Sequence, residues 1–150
     1  MLGLGSYSFF WQQSNQNPQA ISLIDAFTQT AELGVQLFQI CDYLPLEQMT
    51  TAEIEAAAKH AKDLSLEIEL GTKGIEPARL AKFLELAKAF DAKLIRSMPY
   101  SQDSRPTTQE AIEILQNEIK AFEKAGVVLA LETYEQISTQ ELVAIVSAVN

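Results

Sequence analysis

Short apolar runs alternate along the chain with longer segments in which apolar residues recur three and four positions apart. The runs are Leu2–Phe10, Val35–Cys41, Leu66–Leu70, Lys93–Met98 and Val127–Leu131. They show no clean apolar–polar alternation, as expected of strands covered on both faces or closed into a barrel. Each intervening segment carries one apolar stripe. Ala20, Ile24, Phe27 and Ala31 form the first, Ile54, Ala57, Ala61 and Leu64 the second, and Leu80, Phe83, Ala87 and Phe90 the third. Leu115, Ile119 and Phe122 form the fourth, and Leu142, Ile145 and Val149 the fifth. A stripe at that spacing predicts a helix that must bury one face. The whole pattern reads βαβαβαβαβα, with parallel strands joined by right-handed crossovers.

Helix ends carry their own signals. Asn17-Pro18 and Glu76-Pro77 place a proline where a first turn begins. Thr50 with Glu53, Thr107 with Glu110 and Ser138 with Glu141 match the capping box, in which cap and third residue satisfy each other's backbone donors. Gly34 and Gly126 follow the first and fourth helices, where a left-handed residue is often needed. The longest connection, Pro99 to Pro106, follows the fourth strand.

The pattern fits two architectures. One is a five-stranded doubly wound open sheet. The other is a (β/α)8 TIM barrel truncated to about five βα units, since five-eighths of a typical barrel is about 156 residues. Periodicity leaves them near even. No linker or change of composition divides the 150 residues, so residues 1–150 read as a single α/β domain.

Charge narrows the partners. Twenty acidic residues against 11 basic ones give a net charge of −9, and the basic residues are scattered, which disfavours nucleic acid. No apolar run approaches the length of a membrane span, and no basic residue precedes an apolar stretch at the N-terminus, so a membrane anchor and a signal peptide are not expected. Cys41 is the sole cysteine, which fits a reducing, cytoplasmic setting and reads as a buried inert thiol.

Chemistry on either fold belongs at the carboxyl ends of parallel strands. The polar groups there are Tyr7 and Ser8, Gln39 and Asp42, Glu69 to Lys73, Arg96 and Ser97, and Glu132. Glu132 stands out because an apolar run delivers it to that face, and a buried carboxylate needs a cation, a donor network or a proton. Two plainer readings stand beside this one: an exposed glutamate opening a loop, or a glutamate paired with Arg96. Arg96 itself fits either a phosphate grip or an ion pair. Gln39 and Asp42 fit sugar contacts or a loop start. Tyr7, Phe9, Phe10 and Trp11 fit the apolar wall of a sugar site or core packing. His60, the sole histidine, reads as a helix-surface residue. Gly71-Thr72-Lys73-Gly74 lacks the spacing of a phosphate-binding P-loop, and no acidic cluster follows strand one, as a receiver-like signalling domain would require.

Gly34-Val35-Gln36-Leu37-Phe38-Gln39-Ile40 followed by Cys41-Asp42-Tyr43-Leu44-Pro45-Leu46 resembles the second unit of the sugar phosphate isomerases/epimerases, the xylose isomerase-like TIM barrels. Ala130-Leu131-Glu132-Thr133-Tyr134-Glu135 is similar to their fifth unit, although Thr133-Tyr134 departs from the commoner Asn-His. The resemblance implies a (β/α)8 fold and proton transfer next to the carbonyl of a small sugar or sugar phosphate. It also implies a divalent metal (Mn, Mg, Co or Zn) in the complete barrel. Glu132 is carried over as metal ligand and catalytic acid/base, with Gln39, Arg96 and Tyr7 as substrate-binding candidates. The family draws its other metal ligands from later strands, and the chain is expected to stop at Asn150 before units six to eight. A non-catalytic half-barrel or open-sheet interaction module, self-associating through unpaired edges, is therefore the alternative. The lone His60 argues against the endonuclease branch of the same superfamily, whose zinc cluster needs several histidines.

Overall fold

The computed structural model describes residues 2–149; Asn150, the expected stopping point, lies outside them. The strands are β1 (Gly3–Gly5), β2 (Leu37–Ile40), β3 (Glu67–Lys73), β4 (Leu94–Met98) and β5 (Val128–Leu131). The helices are α1 (Leu23–Glu32), α2 (Thr51–Asp63), α3 (Pro77–Phe90), α4 (Thr108–Ala125) and α5 (Thr139–Val149). Short 3-10 turns cover Ser6–Phe9 and Leu44–Gln48.

Among the described residues the strands form one sheet in the order β1-β2-β3-β4-β5. A doubly wound sheet reverses direction at a switch point, which makes strands distant in sequence into neighbours. No such pair occurs here. The sequential order is that of a barrel, and the open-sheet alternative falls. The chain is a partial (β/α)8 TIM barrel of five units.

Backbone contacts divide it into two compact units: the residues up to Leu70 with Ala89–Ala92, and Gly71–Lys88 with the residues from Lys93 onward. In the first, β1 pairs with β2 and β2 with β3, all parallel. Phe38 on β2 is fully buried and meets the Phe27 ring of α1 edge-on at 5.1 Å. Ile40 shares that face, while Leu37 and Gln39 point to the other side of the sheet and stay half-buried. In the second unit β4 and β5 pair in parallel, and Ile95 and Ser97 are fully buried with half-exposed Arg96 between them. Leu115 and Phe122 of α4 and Leu142 and Ile145 of α5 are buried as their stripes require.

Three capping boxes form where the sequence places them, at Thr50, Thr107 and Ser138. Gly34 and Gly126 take the left-handed conformation. Two boundaries differ from expectation. The run Leu2–Phe10 is strand only over Gly3–Gly5, because the hydroxyl of Ser6 donates to the Cys41 carbonyl and accepts from the Cys41 N–H (2.8 Å), and the chain then turns into a 3-10 helix. The first helix starts at Leu23, not at Pro18. Ser22 and Asp25 make an unforeseen capping box, while Asn17 accepts from the Gln19 N–H in a local turn. The buried stripe consequently shifts to Leu23, Ala26, Phe27 and Thr30, leaving Ala20 and Ile24 exposed.

Candidate active site at the strand ends

In the second unit, the apolar strand β5 delivers Glu132 to its carboxyl end. The Glu132 N–H still donates to the Ser97 carbonyl (2.8 Å), so the residue continues the ladder by one position. Arg96 on β4 stands opposite Ala130 in the register. Glu132 lies two residues beyond Ala130, on the same face, which makes it the diagonal cross-strand neighbour of Arg96. The small Ala130 leaves that diagonal clear, and Arg96 Nη1 pairs with Glu132 Oε2. The side chains remain 23% and 31% exposed, although the paired oxygen, Glu132 Oε2, is itself buried. The ion pair is one of the two plain readings of Glu132, and the structure realises it.

In the first unit, Gln39 and Glu69 face each other across β2 and β3, and Gln39 Nε2 donates to Glu69 Oε2 at 3.0 Å. This contact went unforeseen; the signal for it is two polar residues interrupting neighbouring apolar strands at the same register. Tyr7 lies on the 3-10 turn after β1, 68% exposed. It lines a pocket of about 300 Å³ with Phe10, Gln13, Asp42 and Tyr43. Gln13 Nε2 is buried there without a hydrogen-bond partner. Burial pushes the Tyr43 hydroxyl up from its ordinary value. Asp42 holds a left-handed backbone (φ +50°), a conformation that aspartate tolerates better than most residues. Tyr7 and Phe10 are exposed wall residues, whereas Phe9 is core, so the aromatic cluster divides between the two readings.

The remaining candidates have structural roles. His60 Nε2 lies 2.9 Å from Thr28 Oγ1, tying α2 to α1. Cys41 is half-buried behind Ser6. Thr72, just past Gly71, accepts from Arg79 (3.3 Å). Among the described residues no group of three or more His, Cys, Asp or Glu side chains is placed to hold a metal ion, and no helix is long and apolar enough to cross a membrane.

No family model matches the chain. The described fold superposes on D-psicose 3-epimerase from Clostridium cellulolyticum H10, in a structure with D-tagatose, with a TM-score of 0.77 over 99% of this chain and 59% of that one, at 17% identity. The fold is that of a xylose isomerase-like TIM barrel. A xylose isomerase-like barrel protein from Mycobacterium smegmatis, in complex with magnesium, matches with a TM-score of 0.74 at 18% identity, over 99% of this chain and 60% of that one. The IOLI protein with a bound zinc atom matches with 0.70 at 16% identity, over 99% and 59%. In sequence, the chain is 40% identical over 149 residues to 3-oxo-isoapionate decarboxylase of Pectobacterium atrosepticum. The match takes in 99% of this chain and 54% of that relative, so the chain spans about half the relative's length.

Proposed function

We propose that this chain is part of a sugar-converting enzyme that works at a carbon beside a carbonyl, forming and quenching an enediolate. The observation that carries the reading is the Arg96–Glu132 pair at the carboxyl ends of β4 and β5. Isomerisation or epimerisation removes a proton from the carbon next to the carbonyl and returns it elsewhere. Loss of CO2 from a 3-oxo acid leaves an enolate, which is such an enediolate where the carbon between carboxyl and carbonyl carries a hydroxyl, and which then takes up a proton. Both reactions need a carboxyl group to move a proton and a fixed cation to meet the developing negative oxygen. Glu132 supplies the first and Arg96 the second. Arg96 also suits an anionic substituent, a carboxylate or a sugar phosphate, through a two-pronged grip. Gln39 and Tyr7 stand as contacts for sugar hydroxyls, each at its own strand end.

The relative's name favours the decarboxylation branch, and the fold neighbours favour the epimerase branch. Turnover of a 3-oxo sugar acid and of a simple ketose by the full-length protein separates them: one releases CO2 and the other yields an epimer or isomer. Glu132→Gln is expected to lower kcat by about 10²–10⁴-fold in whichever branch operates. Turnover of neither substrate by the wild type, or an unaltered Glu132→Gln rate, overturns the proposal.

A divalent metal (Mn, Mg, Co or Zn) belongs to the proposal through the magnesium and zinc in the fold neighbours. The described residues do not by themselves fit one. They bring no cluster of ligands together, and the carboxylate that would bind it is held by a guanidinium. Proton movement is therefore assigned to the side chains alone. Residues 1–150 are proposed to act as one α/β domain in the cytoplasm. A second reading, a half-barrel that self-associates, draws on β1 and β5, which stand at the two ends of the strand order.

A further inference from the structure

We infer that the long loop after β4, residues 99–106, is a lid at the carboxyl ends of β3 and β4, and that Glu76 is its latch. The whole device lies in the second unit. Gly74 takes a positive φ (+92°), and a Cβ there would fall on Glu76 Oε2 and come 2.8 Å from Ser101 Cβ. The bare α-carbon is therefore the seat on which the Glu76 carboxylate and Ser101 close together. Ser101 Oγ donates to Glu76 Oε1 (2.5 Å) and accepts from the Ser104 N–H (3.0 Å), while the Ser101 N–H donates to the Ser104 carbonyl (2.9 Å). One serine thus folds the loop tip and ties it to the residue that opens α3. The seat itself is held from both sides of its peptide. The Gly74 N–H donates to the Met98 carbonyl (2.9 Å), and the buried Ser97 hydroxyl donates to the Gly74 carbonyl (2.7 Å).

Glu76 Oε2 is buried without a hydrogen-bond partner. Closing the latch takes that oxygen out of water with no donor to meet it, which opposes the charge-assisted bond on Oε1. The closed and open loops consequently lie near each other in free energy, the condition for a lid. Glu132 Oε2, the oxygen paired with Arg96, is also buried, and Arg96 lies three residues before the loop. A substrate that is to displace Arg96 from that oxygen needs an opening, and the loop leaving β4 can give it. This last step rests on the proposed role of the pair; the latch does not.

Hydrogen exchange in the full-length protein reads the latch at the Ser101, Asp103 and Ser104 amides, without reference to activity. Glu76→Ala is expected to speed exchange there by about tenfold. Glu76→Gln, which keeps an acceptor for Ser101 and buries no charge, is expected to slow it. Gly74→Ala, which fills the seat, should behave as Glu76→Ala, and Gln102→Ala, at an exposed position of the same loop, as wild type. Modification of Arg96 by phenylglyoxal, followed by peptide mass spectrometry, reads access to the pair and is expected to quicken in the variants whose loop exchanges faster. Thermal melts report folding, and the two Glu76 variants decide if Gly74→Ala does not fold. Unchanged exchange in Glu76→Ala, or exchange in Glu76→Gln no slower than in wild type, overturns the latch, as does faster exchange in Gln102→Ala. Faster loop exchange with an unchanged Arg96 rate overturns the lid and leaves the proposed chemistry of Arg96 and Glu132 standing.

Discussion

Ser6 is 3% exposed at the end of β1, and its hydroxyl engages both backbone groups of Cys41 at the end of β2. Removing it strands a backbone N–H and a carbonyl where water reaches poorly. Ser6→Ala is expected to cost about 1–3 kcal/mol, read as a lowered urea midpoint at unchanged slope. A midpoint within error of wild type would show that water replaces the hydroxyl. Nothing local in the sequence points to this contact, because its partners are separated by a whole helix and Ser6 belongs to no motif. Glu132 was legible for the opposite reason: an apolar run ending in a carboxylate is a conspicuous local conflict. Its pairing with Arg96 stood among the open readings. The choice depended on strand register, which fixes Arg96 opposite Ala130 and lies beyond local composition.

At the scale of elements, helix starts are the best-determined features. Four of them are closed by capping boxes whose acidic members are exposed or nearly so. The Ser22 and Ser138 hydroxyls hold Asp25 and Glu141 below their ordinary values, and the backbone N–H groups of Thr50 and Thr107 do the same for Glu53 and Glu110. A carboxylate whose value is lowered by folding stabilises the native state above its unfolded value and loses that contribution as pH falls through the folded one. The urea midpoint is therefore expected to hold from neutrality to about pH 5 and to drop between about pH 4.5 and pH 3. The double variant Glu53→Gln/Glu110→Gln, which removes the two titrating carboxyls, should show a shallower drop over that interval. An unchanged pH profile would mean that the boxes close equally well when protonated. Three of the four boxes were legible because Thr or Ser and Glu stand three apart ahead of an apolar stripe. The Ser22 box is hard to read from sequence because its third residue is Asp and because Asn17-Pro18 upstream gives a stronger start signal. β1 is shorter than its run for a related reason, since Leu2–Phe10 is largely apolar at both ends but turns at Ser6.

For the molecule as a whole, periodicity established the alternation of strands and helices and left the choice between open sheet and barrel to neighbour relations. Both architectures bury the same stripes, so no residue-level pattern separates them; the strand order does. That order leaves β1 and β5 each with a single neighbour among the described residues, and Val128 of β5 is 59% exposed. Sedimentation velocity of the 150-residue chain is expected to show association rising with concentration, weakened in Val128→Lys, because a charge on a terminal strand discourages edge pairing. A monomer at every concentration would remove the self-association reading. The sequential order also bears on how the chain comes to be made. Each of β2 to β5 finds a ladder partner one helix earlier in the sequence, so a polypeptide leaving the ribosome can zip each new strand onto the one just released, and synthesis and assembly can run in the same direction.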